Sequence, residues 1–80
     1  MPRKPEPQRA LGHVIRRRRK ELGLSQEEVA LDAGTDQSRI SRIENAGANP
    51  GFALVERIAQ ALDLEPGELA KMAQELQGRE

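Results

Sequence analysis

Between residues 37 and 44, polar side chains recur three and four positions apart, which places them on one face of a helix. Glutamine can pair with adenine through two hydrogen bonds, arginine can do the same with guanine, and serine accepts several partners. The opposite face carries Ile40 and Ile43, which can be buried. We therefore predict a helix that reads DNA bases through Gln37, Ser38, Ser41, Arg42 and, at its start, Asp36.

Two of these residues have a second interpretation. A carboxylate at a helix start caps free N–H groups and favours the helix dipole, but it repels nearby phosphates. Asp36 is therefore either a cap or an acceptor for a cytosine amino group. Ser41 either reads a base, contacts a phosphate or packs against the protein. Arg39 lies toward the flank of the same helix and is expected to contact the phosphate backbone.

The residues before Asp36 predict another short helix, N-terminal to the one that is predicted to read bases. Ser25 and Glu28 have the spacing of a capping box, and the apolar residues that follow recur at helical spacing as far as Ala33. Gly34 can adopt the positive φ that a tight turn requires. This arrangement is typical of a helix-turn-helix. Because a helix start attracts anions, Ser25 and Gln26 are predicted to hold a DNA phosphate; the alternative is a cap and a solvated side chain.

The remaining periodicity predicts three more helices and no strand. The first covers residues 8–22, with Leu22 as the last residue of its apolar stripe, and stops at Gly23. The helix that carries Ile40 and Ile43 is capped by Thr35 or Asp36 and runs to about Asn45. A fourth buries residues 52, 55, 58, 59 and 62, and a fifth covers residues 67–77. The predicted fold is all-α, a compact five-helix bundle.

The chain of 80 residues is predicted to be a single small domain. The domain covers residues 8–77, between a proline-rich disordered tail at 1–7 and a short tail at 78–80. The chain has no cysteine, a single histidine (His13) and a single aromatic residue (Phe52). A metal site and a cofactor are therefore not expected. Without a signal peptide or an apolar stretch of spanning length, we predict a cytoplasmic protein that does not contact a membrane.

The formal net charge is zero, but the charges are unevenly distributed. Residues 1–24 contain eight Lys/Arg and two Glu, which gives +6, whereas residues 25–80 contain five Lys/Arg and eleven Asp/Glu, which gives −6. A DNA-binding face needs local positive charge and not a basic total. The alternative is a solvated basic helix face with no ligand.

From Leu11 to about Met72 the chain resembles the phage-repressor and Cro-type helix-turn-helix family, the xenobiotic-response-element class of small bacterial regulators. The similarity implies a lambda-repressor-like bundle with the helix-turn-helix at helices 2 and 3, and sequence-specific binding of double-stranded DNA in the major groove, usually as a two-fold dimer. The matching residues are Leu11-Gly12, Ile15, Arg19, Gly23 to Glu28, Ala30, Gly34, Ile40 to Glu44, Asn49-Pro50, and Ala59 to Leu62.

The same resemblance implies roles for residues outside the reading helix. Arg19 and Glu44 occupy positions that form a structural ion pair between the first and third helices. Asn45 and Asn49 lie in the loop that approaches a second phosphate, although Gly51 replaces the usual Ser or Thr cap. Arg18 replaces the usual leucine, and we expect its stem to cover apolar surface while its guanidinium reaches solvent.

Three classes of function follow. The first is a transcription regulator that binds a partly palindromic operator as a homodimer through its C-terminal helices, where Met72 and Leu76 form an apolar stripe. The second is an antitoxin, or another protein-interaction module, that also binds its own operator. The third, an enzyme, has no nucleophile–base set, metal cluster or phosphate loop to support it.

Overall fold

The computed structural model describes residues 6–78, and in this part of the chain every regular element is an α-helix. The predicted all-α bundle is therefore confirmed for the described residues. The helices are α1 (Glu6–Glu21), α2 (Gln26–Ala33), α3 (Gln37–Glu44), α4 (Phe52–Ala61) and α5 (Glu68–Gly78).

Helix α1 begins two residues before the predicted start at Gln8. Proline is accepted in the first turn, because the N–H groups there have no partner within the helix. Glu6 stabilises the same turn, since it favours the helix dipole and pairs with Arg9. Glu6 and Pro7 thus belong to α1 and not to the tail, while residues 1–5 of the predicted tail lie outside the described residues. At the other end of the chain Gly78 belongs to α5, and residues 79–80 lie outside the described residues.

The ends of the first two helices follow local sequence signals. Gly23 and Gly34 both have φ of +71°. After each, the next N–H bonds back to the carbonyl five residues earlier: Leu24 N to Arg19 O at 3.0 Å, and Thr35 N to Ala30 O at 2.9 Å. This is the Schellman motif, in which glycine carries no steric cost.

The core is aliphatic and draws on all five helices, which form a single cluster. Helices α1 and α5 pack against each other, as do α2 and α4, while α3 packs on α1 and α2. The largest fully buried side chains of the core are Ile15, Ile40, Ile43, Ile58, Leu62, Leu69, Val14 and Val29.

Three side-chain positions differ from the sequence-based expectation. Phe52 is 79% exposed at the first residue of α4, because Leu54 fills the core from that turn instead. Leu22 is 37% exposed, since α1 ends just before it. Arg18 does not simply extend into solvent; its Nε donates to the carbonyl of Leu62 at 3.0 Å and so caps the C-terminus of α4.

The described residues form a body of 32 × 26 × 23 Å. Among them, every helix is too short or too polar to cross a lipid bilayer.

Candidate nucleic-acid interface

Helix α3 presents a polar face to solvent and buries its apolar face. Ile40 and Ile43 are 0% and 1% exposed, so the helix is fixed against α1 and α2. The side chains predicted to read bases project from the other side. Gln37, Ser38 and Arg42 are exposed, as is the flanking Arg39, and Ser41 is half-buried.

The start of α3 is capped by Asp36 and not by Thr35. The Asp36 carboxylate accepts a hydrogen bond from the Arg39 N–H at 2.8 Å, and its backbone is extended, as an N-cap requires. This bond gives Asp36 a structural role at the edge of the exposed face. The side chain remains exposed there.

The start of α2 lies beside the same face and carries a complete capping box. The Ser25 hydroxyl accepts from the Glu28 N–H at 3.0 Å, and the Glu28 carboxylate accepts from the Ser25 N–H at 2.9 Å. The pKa of Glu28 is lowered chiefly by its hydrogen bond from the Ser25 backbone, with a further contribution from the Ser25 side chain. Both residues are exposed, so the positive end of α2 faces solvent.

The capping box makes a prediction about acid stability. Because the folded-state pKa of Glu28 is lowered, its contribution is present above the unfolded pKa and is lost as pH falls through the folded pKa. Glu28→Gln keeps the hydrogen-bonding shape but not the charge. In urea denaturation, we expect wild type to be more stable than Glu28→Gln at neutral pH and the difference to vanish in acid. Glu27→Gln, one residue away, is the control, and an equal pH dependence in both variants would contradict the prediction.

A series of hydrogen-bonded polar side chains runs from the buried part of this site to its surface. Arg19 Nε and Nη2 donate to the two oxygens of Glu44 at 2.7 and 3.0 Å, and Arg19 Nη1 donates to the carbonyl of Leu24 at 2.9 Å. Glu44 Oε1 also accepts from Gln26 Nε2 at 3.1 Å. Gln26 Oε1 in turn accepts from Gln37 Nε2 at 3.4 Å.

The two charged residues of this hydrogen-bonded series are almost inaccessible to solvent. The side chains of Arg19 and Glu44 are 12% and 2% exposed. The hydrogen bond to Glu44 raises the pKa of Arg19, against the opposing effect of desolvation. The pair therefore joins α1 to α3 as a structural contact, and it keeps Glu44 off the exposed face.

Gln26 has a more specific place than its sequence context indicates. The sequence predicts either a phosphate-binding residue at a helix start or a solvated side chain. In the structure its amide lies between Glu44 and Gln37, so one side chain connects the buried ion pair to the first residue of α3. A sequence signal for this contact does not exist, because its partners lie 11 and 18 residues away.

The loop after α3 supplies the second flank. Asn45 uses its side-chain nitrogen to donate to the carbonyl of Ser41 at 2.9 Å, which closes the end of α3. Asn49 is exposed. Gly51 precedes α4 without a side-chain cap, as the replacement of Ser or Thr predicts. The predicted phosphate-binding residues thus lie at the start of α2, on α3 and in this loop.

Metal-binding chemistry has no visible basis in the part of the chain that the structure describes. Among residues 6–78, no group of three or more His, Cys, Asp or Glu side chains is placed to hold a metal ion. His13 is exposed on α1.

Comparison with known proteins gives consistent matches. A family model described as helix-turn-helix matches residues 15–69. An uncharacterized HTH-type transcriptional regulator of Methanothermobacter thermautotrophicus is 44% identical over 52 residues, which make up 65% of this chain and 75% of that protein.

Solved structures with the same architecture include two bacterial regulators. The restriction-modification controller protein C.AhdI from Aeromonas hydrophila is 35% identical, with a TM-score of 0.74 over 78% of this chain and 90% of its own. The clp gene regulator ClgR from Corynebacterium glutamicum has a TM-score of 0.86 over 96% of this chain and 82% of its own. At 19% identity, this second likeness shows the fold alone.

Proposed function

This chain belongs to the helix-turn-helix family of Cro/C1-type, DNA-binding transcriptional regulators, which are not enzymes, and we propose that it recognises one double-stranded operator sequence by inserting α3 into the major groove. The observation that carries this proposal is the division of α3 between a buried Ile40–Ile43 side and an exposed polar side. A helix of this kind is rigidly held yet free to contact a duplex.

The chemistry of the exposed side supports base recognition. Gln37 and Arg42 can each make two hydrogen bonds to one base, to adenine and guanine respectively. Ser38 and Ser41 add contacts through their shorter side chains. Gln37 is also oriented by its hydrogen bond to Gln26, which reduces the rotamer freedom that binding would otherwise remove. We assign Asp36 primarily to the N-cap of α3. If its carboxylate also contacts a base, that contact lies at the edge of the groove.

Phosphate contacts are proposed on both sides of this helix. The exposed start of α2 offers backbone N–H groups and the positive end of the dipole, which suit an oxyanion. Arg39 adds a cation on the flank of α3. We therefore propose that Ser25, Gln26, Arg39, Asn45 and Asn49 position the protein on the backbone, while α3 reads sequence.

The base-reading proposal is tested by comparing two DNAs. Loss of one bidentate contact removes about 1–3 kcal/mol of discrimination, or about 5- to 150-fold in affinity. In a binding titration, we expect Gln37→Ala and Arg42→Ala each to weaken binding to a duplex selected from a random pool. Binding to a scrambled duplex of the same composition should change little.

The matched control for these variants is Gln60→Ala, an exposed glutamine on α4. It should leave binding to both duplexes unchanged. Equal losses on the selected and the scrambled duplex would move Gln37 or Arg42 to the phosphate-binding class. No selected sequence at all would reject the proposed function.

A homodimer through the C-terminal helices is the second part of the proposal. Met72 and Leu76 are half-buried on α5 and, with Arg17 and Glu75, line a shallow surface depression beside α1. Two copies of a body 23–32 Å wide can place their α3 helices about one DNA turn apart, roughly 34 Å. This spacing fits a partly palindromic operator.

The dimer makes a separate prediction. Leu76→Glu places a charge in the proposed apolar contact, so we expect the variant to be monomeric in sedimentation equilibrium at concentrations where wild type is dimeric. Gln74→Glu, on the exposed part of the same helix, is the control. A Leu76→Glu variant that stays dimeric would place the interface elsewhere.

A further inference from the structure

The C-terminus of α2, at the turn of the helix-turn-helix, is held by a side chain from outside the motif. Arg57 of α4 donates its Nε to the carbonyl of Ala33, the last residue of α2, at 2.8 Å. The same Nε lies 3.9 Å from the place where Gly34 would carry a Cβ atom. A guanidinium thus sits directly against the residue at which the chain turns from α2 to α3.

This contact supplies a hydrogen bond that the residues of α2 and its turn do not supply. The carbonyls of Ala30 and Leu31 accept from the N–H groups that follow α2, whereas the carbonyl of Ala33 accepts from Arg57 Nε. Helix α2 has no basic residue in its last turn, so the cation that favours the negative end of its dipole comes from α4.

The relative orientation of α2 and α3 decides whether both can contact one stretch of DNA. The start of α2 is proposed to lie on a phosphate while α3 enters the groove, so a change of angle at the turn moves one contact relative to the other. Gly34 permits the turn, whereas Arg57 ties it to α4, which packs against α2. The contact is made on the side of α2 away from its DNA-facing start, because it lies at the opposite helix end.

We propose that Arg57 is a positioning residue for sequence discrimination: its bond to the Ala33 carbonyl holds the turn between α2 and α3 at the angle that base reading requires. This inference rests on the proposed function. Arg57 acts through the turn and not through a contact with DNA.

The chain contains a matched control. Arg18 makes the same kind of bond, from its Nε to the carbonyl of Leu62 at 3.0 Å, at the end of α4. Like α2, helix α4 has no basic residue in its last turn. Arg18→Met and Arg57→Met therefore each remove one bond from Nε to a carbonyl at a helix end, one outside the helix-turn-helix and one at its turn, and both retain an unbranched apolar stem. Arg18→Met also removes the exposed contact with Glu21 at 3.8 Å.

The experiment measures binding of full-length wild type, Arg57→Met and Arg18→Met to the selected and the scrambled duplex. It is carried out at a temperature where circular dichroism shows all three folded. We expect Arg57→Met to lower the ratio of selected to scrambled affinity about tenfold, near the lower end of the range for a hydrogen bond to a charged group, and Arg18→Met to change it less than about twofold. Arg57→Lys keeps the charge but not the Nε donor, and should fall between wild type and Arg57→Met; it also replaces Arg57→Met if that variant does not fold.

Salt dependence separates positioning from direct contact. If Arg57 bound a phosphate, its removal would reduce the slope of log affinity against log salt by about one; positioning leaves the slope unchanged. A reduced slope, or equal ratios for Arg57→Met and Arg18→Met, would overturn the inference while wild type still discriminates. Wild type without any preference would instead overturn the proposed function, and this inference with it.

Discussion

Replacing Gly12 by alanine is expected to unfold the protein or to lower its free energy of unfolding by more than about 3 kcal/mol, which is much of the stability of a small domain. Gly12 is buried where α1 crosses the end of α3. An added Cβ would lie 2.5 Å from the carbonyl oxygen of Ile43 and 2.7 Å from that of Glu44. Both obstacles are backbone atoms, so the two helices must move apart.

Urea denaturation followed by circular dichroism measures this effect. Gly78→Ala is the control, because Gly78 also lies in a helix but an added Cβ there would have no atom within 4 Å. We expect Gly78→Ala to change the free energy of unfolding by less than about 1 kcal/mol, since only helix propensity is affected. A Gly12→Ala protein as stable as wild type would show that α1 and α3 do not approach each other so closely.

Removing the Glu44 carboxylate is expected to be nearly as damaging. Glu44→Ala leaves the guanidinium of Arg19, whose side chain is 12% exposed, without its counter-charge and takes an acceptor from Gln26. Breaking a buried pair in this way costs about 3–5 kcal/mol, because the remaining charge is poorly solvated. Chemical denaturation should show this loss in the absence of DNA.

Glu21→Ala is the matched control for Glu44→Ala. Glu21 and Glu44 are each the last residue of a helix, and Glu21 lies 3.8 Å from Arg18 with its side chain 56% exposed. An exposed pair contributes at most about 1 kcal/mol, so the two variants should differ clearly. Similar losses in both would contradict the structural role of the Arg19–Glu44 pair.

Most helix boundaries could be predicted because their signals are local. The capping box at Ser25 and Glu28, and the turns at Gly23 and Gly34, depend on residues within one helical turn of each other. The start of α1 is an exception: the three prolines among residues 1–7 predict a disordered tail, whereas the helix begins at Glu6, two residues before Gln8.

The candidate site could be predicted only in outline. Helical periodicity places Arg42 opposite Ile40, and Gln37 at the edge of the same exposed side, in any amphipathic helix, whatever surrounds it. It does not show that Gln26 bonds to both Glu44 and Gln37, because that contact requires the start of α2 to lie beside α3. The resemblance to known regulators indicated the Arg19–Glu44 pair, whereas the near-complete burial that makes it costly to break depends on how α1 packs against α3.

The amino-acid sequence by itself determined the helices, their caps and the two faces of α3, because backbone and side-chain preferences act over a few residues. Only the tertiary structure decided that Gly12 must lack a side chain, that Phe52 is exposed, and that Arg57 binds the end of α2. Each of these depends on atoms brought close by packing from distant parts of the chain, and pairwise contacts of that kind leave no periodic signal in a single sequence.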